Sequence, residues 1–359
     1  MKICYVGWGD HVHVERWANY FAERGHSVSV ISFSSRGRYS SKVKQYRIGI
    51  EKRAMRWRQK VLQYLLWWIK PELVHVHWAH FAPPVANVWN GPLVVTAWGS
   101  DIYRLPDKLK ASRSELIAAL KKAAVITCDS WDLEKEIKNI VGGTSVAVEV
   151  IQWGVDTSIF RLNGTVSELS RELDMVERKV IYSARNFTPT YNQETVVRAF
   201  AIVRKSMPDA VLLMKNYDGD DDYLDSIKSE IASCGLSEHV KIVDKVPYEQ
   251  MPDLYRMAKV TVSVPFSDAT PMSVLEAMAC GSVPVVSDLP SLHEWIEDDV
   301  NGYIVPVTDY EQLAQRILKV FRNPDNTKAM VKRNIAIVQK RADHDTNMRK
   351  MAEIYSCLA

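Results

Sequence analysis

The chain has 359 residues, of which 47% are hydrophobic types, and its formal net charge at pH 7 is +3. This length and apolar fraction allow two ordinary domains, each with its own core. The five cysteines are odd in number and form no C-x-x-C pair, which favours reduced structural thiols over a disulfide framework or a cysteine-based metal site.

The first half of the chain alternates predicted strands with predicted helices. The opening segment, MKICYVGWGDHV, reads as a strand and lacks the apolar run of a signal peptide. An amphipathic helix follows at 14–26. The alternation predicts a mostly parallel, doubly wound sheet. The further strands of this half are predicted at 27–33, 72–78, 92–100, 123–130 and 146–154.

The segment GWGDHVH, residues 7–13, follows the first strand. It is not a dinucleotide fingerprint, because Val12 stands where the third glycine of G-x-G-x-x-G would be. The turn still permits close approach of the backbone around Gly9 to a phosphate or a sugar. A plain tight turn remains the alternative.

Residues 36–60 contain ten Lys or Arg and one Glu, and YLLWWIK follows at 64–70. Basic residues beside Trp and Leu on a predicted helix favour contact with an anionic membrane surface. A solvated basic face is the alternative, and nucleic acid is not expected because no binding motif accompanies the segment. The apolar run 61–69 is too short to span a bilayer.

Two strand ends of the first half carry polar side chains. His75 and His77 stand two apart on one strand, which favours buried imidazoles over a metal site, because no third ligand is evident. Trp98 and Asp101 follow the next strand, where Asp101 either bonds an acceptor hydroxyl or caps the segment that follows.

From about residue 163 a polar segment predicts an inter-domain linker, and a second strand and helix series follows. We therefore expect domains at 1–163 and 175–339. Two Rossmann-like halves imply a cleft to which each contributes its strand-end loops.

In the second half, Arg185 and Lys215 each follow a predicted strand. A strand-end arginine is a good partner for a diphosphate, since its guanidinium donates in a planar fork. Surface ion pairs are the alternative for both residues. The acidic run 218–223 is expected to be a solvated loop.

The stretch SDATPMSVLEAMACG, residues 267–281, predicts a loop, a helix and a glycine stop. Thr270 is expected as the N-cap, with Pro271 in the first turn and Gly281 at the end. A helix start after a loop favours an anion, and Glu276 one turn further in suits sugar hydroxyls. The helix start and Glu276 together therefore indicate a ligand that carries both a phosphate and a sugar, such as a nucleotide.

Taken together, these motifs resemble the retaining glycosyltransferases of family 4, which have the GT-B architecture. The segments occur in the family's order, and the resemblance covers about residues 1–320. They are MKICYVGWG, ERWANYFAERGHSVSVIS, PELVHVHW, VVTAWGSDI, VEVIQWGVDTSIF, SVPFSDATPMSVLEAMACGSVPVVS and HEWIEDDVNGYIVP. The resemblance implies an acceptor domain, a donor domain and a C-terminal helix, about 340–359, that packs back on the first domain.

The resemblance also implies roles for individual residues. Glu276 would bind the donor ribose, Asp268 would lie near the transferred sugar, and Arg185 would bind the diphosphate. The family's second diphosphate residue, a lysine, is missing between Asn186 and Gln193, where Lys215 is the candidate replacement. The predicted catalytic residues are Arg185, Asp268 and Asp101. The predicted donor-binding residues are Gly9, Arg185, Lys215, Val246, Asp268, Thr270, Pro271, Met272, Ser273 and Glu276. The predicted acceptor residues are His13, Trp98 and Asp101.

We therefore expect transfer of a sugar from a nucleotide sugar, UDP-linked, to a hydroxyl acceptor with retained configuration. The acceptor is expected to be lipid-linked or a cell-surface glycan precursor. No metal or other cofactor is expected, and the protein is expected to be cytoplasmic or peripheral on the inner face of the membrane. Two alternatives remain open, a nucleotide-sugar epimerase of the same fold and a non-catalytic sugar-binding homologue.

Overall fold

The computed structural model describes residues 1–48, 55–103, 110–164, 168–217 and 219–358, without the side chains of 55–58 and 110–112. The chain forms two units. The N-terminal unit comprises Met1–Trp153 and Asp345–Ala359, and the C-terminal unit comprises Gly154–His344.

The N-terminal unit contains a seven-stranded sheet in the order β3-β2-β1-β4-β5-β6-β7, in which every pair of neighbouring strands is parallel. Its inner strands are buried along nearly their whole length, as expected where helices cover both faces of a parallel sheet, whereas the edge strands β3 and β7 are partly exposed. The strands are β1 (Lys2–Gly7), β2 (Ser27–Ser32), β3 (Val43–Arg47), β4 (Leu73–His77), β5 (Leu93–Thr96), β6 (Val125–Cys128) and β7 (Ala147–Val150). The helices are α1 (Val12–Glu23), α2 (Met55–Ile69), α3 (Ala82–Ala86), α4 (Ser100–Tyr103), α5 (Lys110–Lys121) and α6 (Trp131–Val141), with the chain's last helix described below.

The C-terminal unit contains a six-stranded sheet in the order β10-β9-β8-β11-β12-β13, again with parallel pairs throughout. The elements of this unit are α7 (Glu168–Glu172), β8 (Lys179–Ser183), α8 (Gln193–Ser206), β9 (Ala210–Lys215), α9 (Asp221–Ser233), β10 (Val240–Val243), α10 (Met251–Met257), β11 (Ala258–Ser263), α11 (Met272–Cys280), β12 (Val283–Ser287), α12 (Pro290–His293), β13 (Tyr303–Val305), α13 (Tyr310–Arg322) and α14 (Pro324–Arg341). The predicted fold class, α/β with two doubly wound Rossmann-like sheets, is confirmed.

In each sheet the strand order reverses once, between β1 and β4 in the first and between β8 and β11 in the second. At such a switch point the two loops that leave the neighbouring strands run to opposite faces, so a crevice opens at the carboxyl ends of the strands. These two positions are where ligand sites are expected in each unit.

The last helix, α15 (His344–Leu358), packs on the N-terminal unit from Asp345 onwards. Tyr355 is fully buried, and its hydroxyl lies 2.5 Å from His75 Nδ1 and 3.2 Å from the hydroxyl of Tyr5. These hydrogen bonds attach the end of the chain to β1 and β4.

The basic segment 36–60 is not one helix. Residues Val43–Arg47 form the edge strand β3, where Lys44 and Arg47 are exposed while Val43 is buried. The sequence pattern gave little signal for this short strand, because Val43 is the one aliphatic residue in VKQYR. Residues 49–54 of the segment lie outside the described residues.

The predicted linker at about residue 163 lies inside the C-terminal unit. The reason is local packing: Val155 exchanges backbone hydrogen bonds with Ala342 and His344, and buried Phe160 packs on Tyr248 and Tyr255. Residues 165–167 lie outside the described residues.

In the described part of the chain, no helix has the length and apolar character needed to cross a bilayer.

Candidate functional site

Two of the predicted site residues form an ion pair at the switch point of the C-terminal sheet. Arg185 follows β8 and Asp268 follows β11, the two strands between which the order reverses. Their charged groups lie 2.7 Å apart, and their side chains are 11% and 19% exposed. The sequence predicted both residues but not their contact.

The guanidinium of Arg185 is held on three sides. It donates to Ser273 Oγ at 3.2 Å, in the first turn of α11, and it lies 4.1 Å above the ring of Tyr191. Burial opposes its charge, but Asp268 and Tyr191 more than offset burial, so the pKa of Arg185 is raised. A permanent cation therefore stands at the start of α11.

Helix α11 begins at Met272, with Pro271 as its N-cap residue and no side-chain cap. The predicted N-cap role of Thr270 is therefore wrong. Thr270 is buried and accepts a hydrogen bond from Trp295 Nε1 instead. The first turn of α11 therefore has backbone N–H groups that no capping side chain satisfies. Gly281 ends the helix at a φ of 86°, as predicted.

Glu276 lies one turn into α11 and is partly exposed. Its carboxylate accepts a hydrogen bond of 2.8 Å from the hydroxyl of Tyr255, at the end of α10. Burial and the charge of Glu276 raise the pKa values of Tyr255 and of neighbouring Tyr182. Both phenols therefore stay neutral, and Tyr255 holds the carboxylate as a donor. Sequence reasoning missed Tyr255, because an apolar helix pattern gives no signal for one hydroxyl.

Two lysines extend the positive charge beyond Arg185. Lys215 ends β9 and Lys245 follows β10, and their Nζ atoms lie 5.2 Å and 4.3 Å from the ring centroid of Tyr217. Burial lowers the pKa of Lys215, as do Arg185 and Lys245, while Glu276 opposes them. Lys245 is exposed and was missed, although its place at a strand end was a usable signal. Val246, the next residue, is half-buried.

The acidic run after β9 begins a helix. Asp220 caps α9 by accepting the backbone N–H of Tyr223 at 3.0 Å, and Asp221 and Asp222 occupy the first turn, where the helix dipole favours negative charge. Asp218 lies outside the described residues. Within the described ranges no group of three or more His, Cys, Asp or Glu side chains is placed to hold a metal ion.

In the N-terminal unit, the glycines of GWG are required by protein packing. A Cβ on Gly9 would lie 2.6 Å from the Cβ of Ser32, and one on Gly7 would lie 2.6 Å from the carbonyl oxygen of His77. Gly9 also donates its N–H to Ser32 Oγ at 3.0 Å. These contacts favour the tight-turn interpretation. A contact between Gly9 and the nucleotide-sugar donor stays a prediction.

The three predicted acceptor residues come together at the carboxyl ends of β1 and β5. Asp101 is fully buried, and its two oxygens accept the N–H groups of Ala79 and Trp98 at 2.6 and 2.9 Å. Burial raises its pKa to about 6, although these hydrogen bonds oppose the shift. Asp101 thus acts as a cap that positions Trp98. The ring of Trp98 lies 6.0 Å from that of His13 and 4.3 Å from that of His11.

His75 and His77 are fully buried, as expected. The Nε2 of His75 lies 2.6 Å from Thr96 Oγ1, whereas neither ring nitrogen of His77 has a hydrogen-bond partner among the described residues. Burial lowers both pKa values, that of His77 to about 3. Both imidazoles are therefore neutral at physiological pH.

Two family models match the chain. The model described as "Glycosyl transferases group 1" matches residues 167–336, and the model described as "Glycosyl transferase 4-like" matches residues 2–130. The first range holds Arg185, Asp268 and Glu276, and the second holds His13 and Trp98.

Among curated relatives, a GDP-mannose-dependent alpha-(1-6)-phosphatidylinositol monomannoside mannosyltransferase of Mycolicibacterium smegmatis is 27% identical over 197 residues, covering 52% of this chain and 50% of the relative. A D-inositol 3-phosphate glycosyltransferase of Salinispora tropica is 23% identical over 304 residues, covering 80% of this chain and 60% of the relative. The chain thus spans about half the length of the first curated relatives it matches.

Among solved structures, Anabaena Alr3699/HepE in complex with UDP has a TM-score of 0.85 at 17% identity, with full coverage of both chains. The sucrose-phosphate synthase of Thermosynechococcus elongatus has a TM-score of 0.83 at 16% identity, covering 100% of this chain and 99% of that one. These similarities confirm the predicted GT-B fold.

Proposed function

The chain belongs to the family 4 glycosyltransferases, and from that premise we propose that it transfers a sugar from a nucleotide sugar to a hydroxyl group. The observation that carries this proposal is the Arg185–Asp268 ion pair at the switch point of the C-terminal sheet, with Glu276 on the helix that starts beside it. A nucleotide sugar requires a cation for its diphosphate and a hydrogen-bond acceptor for its ribose, and both groups stand there.

In this proposal the diphosphate replaces Asp268 as the partner of Arg185. The first turn of α11 supplies N–H groups to the same phosphates. Glu276, held by Tyr255, accepts hydrogen bonds from the ribose hydroxyls. Asp268, released from Arg185, turns to the hydroxyls of the transferred sugar. Thr270, Pro271, Met272 and Ser273 contribute as the backbone and first turn of this cradle.

Lys215 is proposed to supply the second positive charge that the missing lysine would provide. It ends the strand next to β8 and is electrostatically coupled to Arg185 and Glu276. Since its ammonium is largely buried, a diphosphate would gain more from it than from an exposed lysine.

The proposed chemistry retains the anomeric configuration. The bond between the anomeric carbon and the leaving phosphate oxygen breaks as the acceptor oxygen bonds to that carbon from the same face. The acceptor's proton passes to the leaving phosphate. Arg185 and the start of α11 stabilise the negative charge that grows on the diphosphate. We expect this electrostatic stabilisation to be the largest single contribution to the rate enhancement.

We propose a UDP-sugar as donor, because similar structures are complexes with UDP and with UDP-glucose. The curated mannosyltransferase relatives are described as GDP-mannose-dependent, so GDP-mannose is the competing donor.

The proposed acceptor surface is the group His13, Trp98 and His11, which Asp101 positions through the N–H of Trp98. We propose that the acceptor is lipid-linked and that the protein works at the inner face of a membrane. Support comes from the basic and aromatic composition of residues 36–70 and from a relative that acts on a phosphatidylinositol mannoside.

The test is a nucleotide panel measured by isothermal titration, followed by an assay of sugar release. We expect UDP and UDP-sugars to bind more tightly than GDP and GDP-mannose, and UDP to be released when acceptor is added. Conversion of the donor without any acceptor would indicate an epimerase. Binding without release or conversion would indicate a non-catalytic homologue.

A further inference from the structure

One face of α2 exposes three aromatic side chains. Tyr64, Trp67 and Trp68 are 57%, 64% and 61% exposed, and the ring of Tyr64 lies 6.0 and 6.5 Å from the two tryptophan rings. The same helix buries Leu62 and Leu66. The spacing i, i+3, i+4 puts the three rings on one face, which we name the aromatic face.

A small pocket adjoins the aromatic face at the amino-terminal ends of β1 and β2. Its volume is about 170 Å³. We name it the lysine pocket, and its polar lining and rim are formed by Lys2, Ser27, Ser29, Lys44, Tyr46 and Trp68. The described lining thus includes two lysines and three residues with a hydroxyl, together with Ile69, and contains no Asp or Glu.

The charge around both features is positive. Lys60 and Lys70 on and after α2 are exposed, and residues 59–70 contain no Asp or Glu. Glu72, two residues after Lys70, accepts the backbone N–H of Lys2 and lies 4.0 Å from the N-terminal ammonium of Met1. Glu72 is therefore already balanced by a neighbouring cation.

We propose that the aromatic face and the lysine pocket together dock the protein on a bilayer that contains anionic phospholipids. A headgroup phosphate enters the pocket between Lys2 and Lys44, and Trp67 and Trp68 lie in the headgroup layer. Tryptophan and tyrosine prefer this layer because each combines an apolar ring with a polar N–H or O–H. This inference rests on the proposed activity at a membrane and names the surface that would hold the protein there.

The composition of the surface favours a bilayer over a second copy of the chain. Leu62 and Leu66 are buried, and Val61, Leu65 and Ile69 are half-buried. The exposed side chains at 59–69 are Lys60, Gln63, Tyr64, Trp67 and Trp68. An aromatic rim beside clustered lysines matches the depth profile of an anionic membrane interface. The surface is also separate from Trp98 and His13, which follow the carboxyl ends of β5 and β1.

The test is co-sedimentation of the full chain with phosphatidylcholine vesicles, with and without phosphatidylglycerol, at low and high salt. We expect binding only with phosphatidylglycerol, and weaker binding at high salt. Lys2→Ser with Lys44→Ser should weaken binding by about 25-fold, at about fivefold per lysine. Trp67→Ser with Trp68→Ser should weaken it at either salt concentration.

Matched controls use exposed residues elsewhere. Trp131→Ser, on α6, and Lys241→Ser with Lys332→Ser, in the C-terminal unit, should bind vesicles like the wild type. Thermal unfolding of each variant checks that it is folded. Equal sedimentation of the Trp67/Trp68 variant and the wild type would overturn the proposal.

Other occupants give different results. A dimer in analytical ultracentrifugation that the Trp67/Trp68 substitutions abolish, without vesicle binding, would indicate a second copy and overturn the proposal. Stabilisation by inorganic phosphate that requires Lys2 and Lys44, again without vesicle binding, would indicate a soluble phosphate ligand. UDP affinity of the same variants should be unchanged, so failure of the docking surface and failure of the transferase proposal are distinguishable.

Discussion

The guanidinium of Arg185 and the carboxylate of Asp268 lie 2.7 Å apart where the strand order of the C-terminal sheet reverses. A diphosphate that uses Arg185 must therefore displace a carboxylate. The ion pair keeps the arginine oriented in the free protein, at the cost of competing with the ligand.

Asp268→Asn is expected to tighten binding of UDP by about fivefold, because it removes a competing charge worth roughly 1 kcal/mol. Turnover with a UDP-sugar should fall in the same variant, since Asp268 is proposed to face the sugar. Isothermal titration and steady-state kinetics measure the two effects. Asp298→Asn breaks another ion pair of the same unit, that with Arg316, and should change neither quantity. Weaker UDP binding by Asp268→Asn would refute the competition.

Glu276→Ala is expected to lower UDP affinity by about 1.5–3 kcal/mol, because a charge-assisted hydrogen bond to the ribose is lost. Affinity for inorganic pyrophosphate should stay the same, since that ligand has no ribose. Calorimetric titrations with both ligands separate these cases. UDP affinity within twofold of the wild type, or equal losses for both ligands, would show that Glu276 does not bind the ribose.

Lys215→Met is expected to weaken UDP binding by about tenfold, through loss of a largely buried positive charge. Lys245→Met is the matched control, because Lys245 stands beside the same Tyr217 ring but is exposed, and its loss should cost less. Because the pKa of Lys215 is lowered from its ordinary value of 10.5, UDP affinity should also fall at alkaline pH in the wild type. A larger loss of UDP affinity in Lys245→Met than in Lys215→Met would show that Lys245, and not Lys215, supplies the second positive charge to the diphosphate.

The buried histidines predict how stability depends on pH. The folded state holds His77 neutral down to a pKa of about 3, and the pKa of His75 is lowered as well, whereas unfolded histidine titrates near 6.5. Below a pH of about 6.5 the unfolded state binds more protons than the folded state. Each histidine should therefore lower the free energy of unfolding by about 1.4 kcal/mol for every unit by which the pH is lowered.

Urea unfolding between about pH 4 and pH 6 measures this slope. His77→Phe should reduce the slope by one histidine's share relative to the wild type. An unchanged slope in His77→Phe would contradict the assignment.

The positions of Asp268, Glu276 and Arg185 were predictable because strand ends and helix starts are visible as local patterns. The Arg185–Asp268 contact was not, because it depends on β8 and β11 being neighbours, which is a property of strand order. Tyr255 was missed because an apolar helix pattern gives no signal for one hydroxyl, whereas Lys245 was missed although its place at a strand end was a usable signal. Thr270 was misplaced by one residue because Pro271, with φ fixed near −65°, suits the N-cap position as well as the first turn.

The most direct test of the donor site is the rate of UDP release from the tightest-binding UDP-sugar, compared between the wild type and Arg185→Ala. Negative charge on the diphosphate is greatest in the transition state, so kcat should fall by about a hundredfold or more, while the Kd of the UDP-sugar rises by about tenfold or less. An unchanged kcat with weakened binding alone, or no change in either, would contradict the assignment of Arg185 and the site built around it.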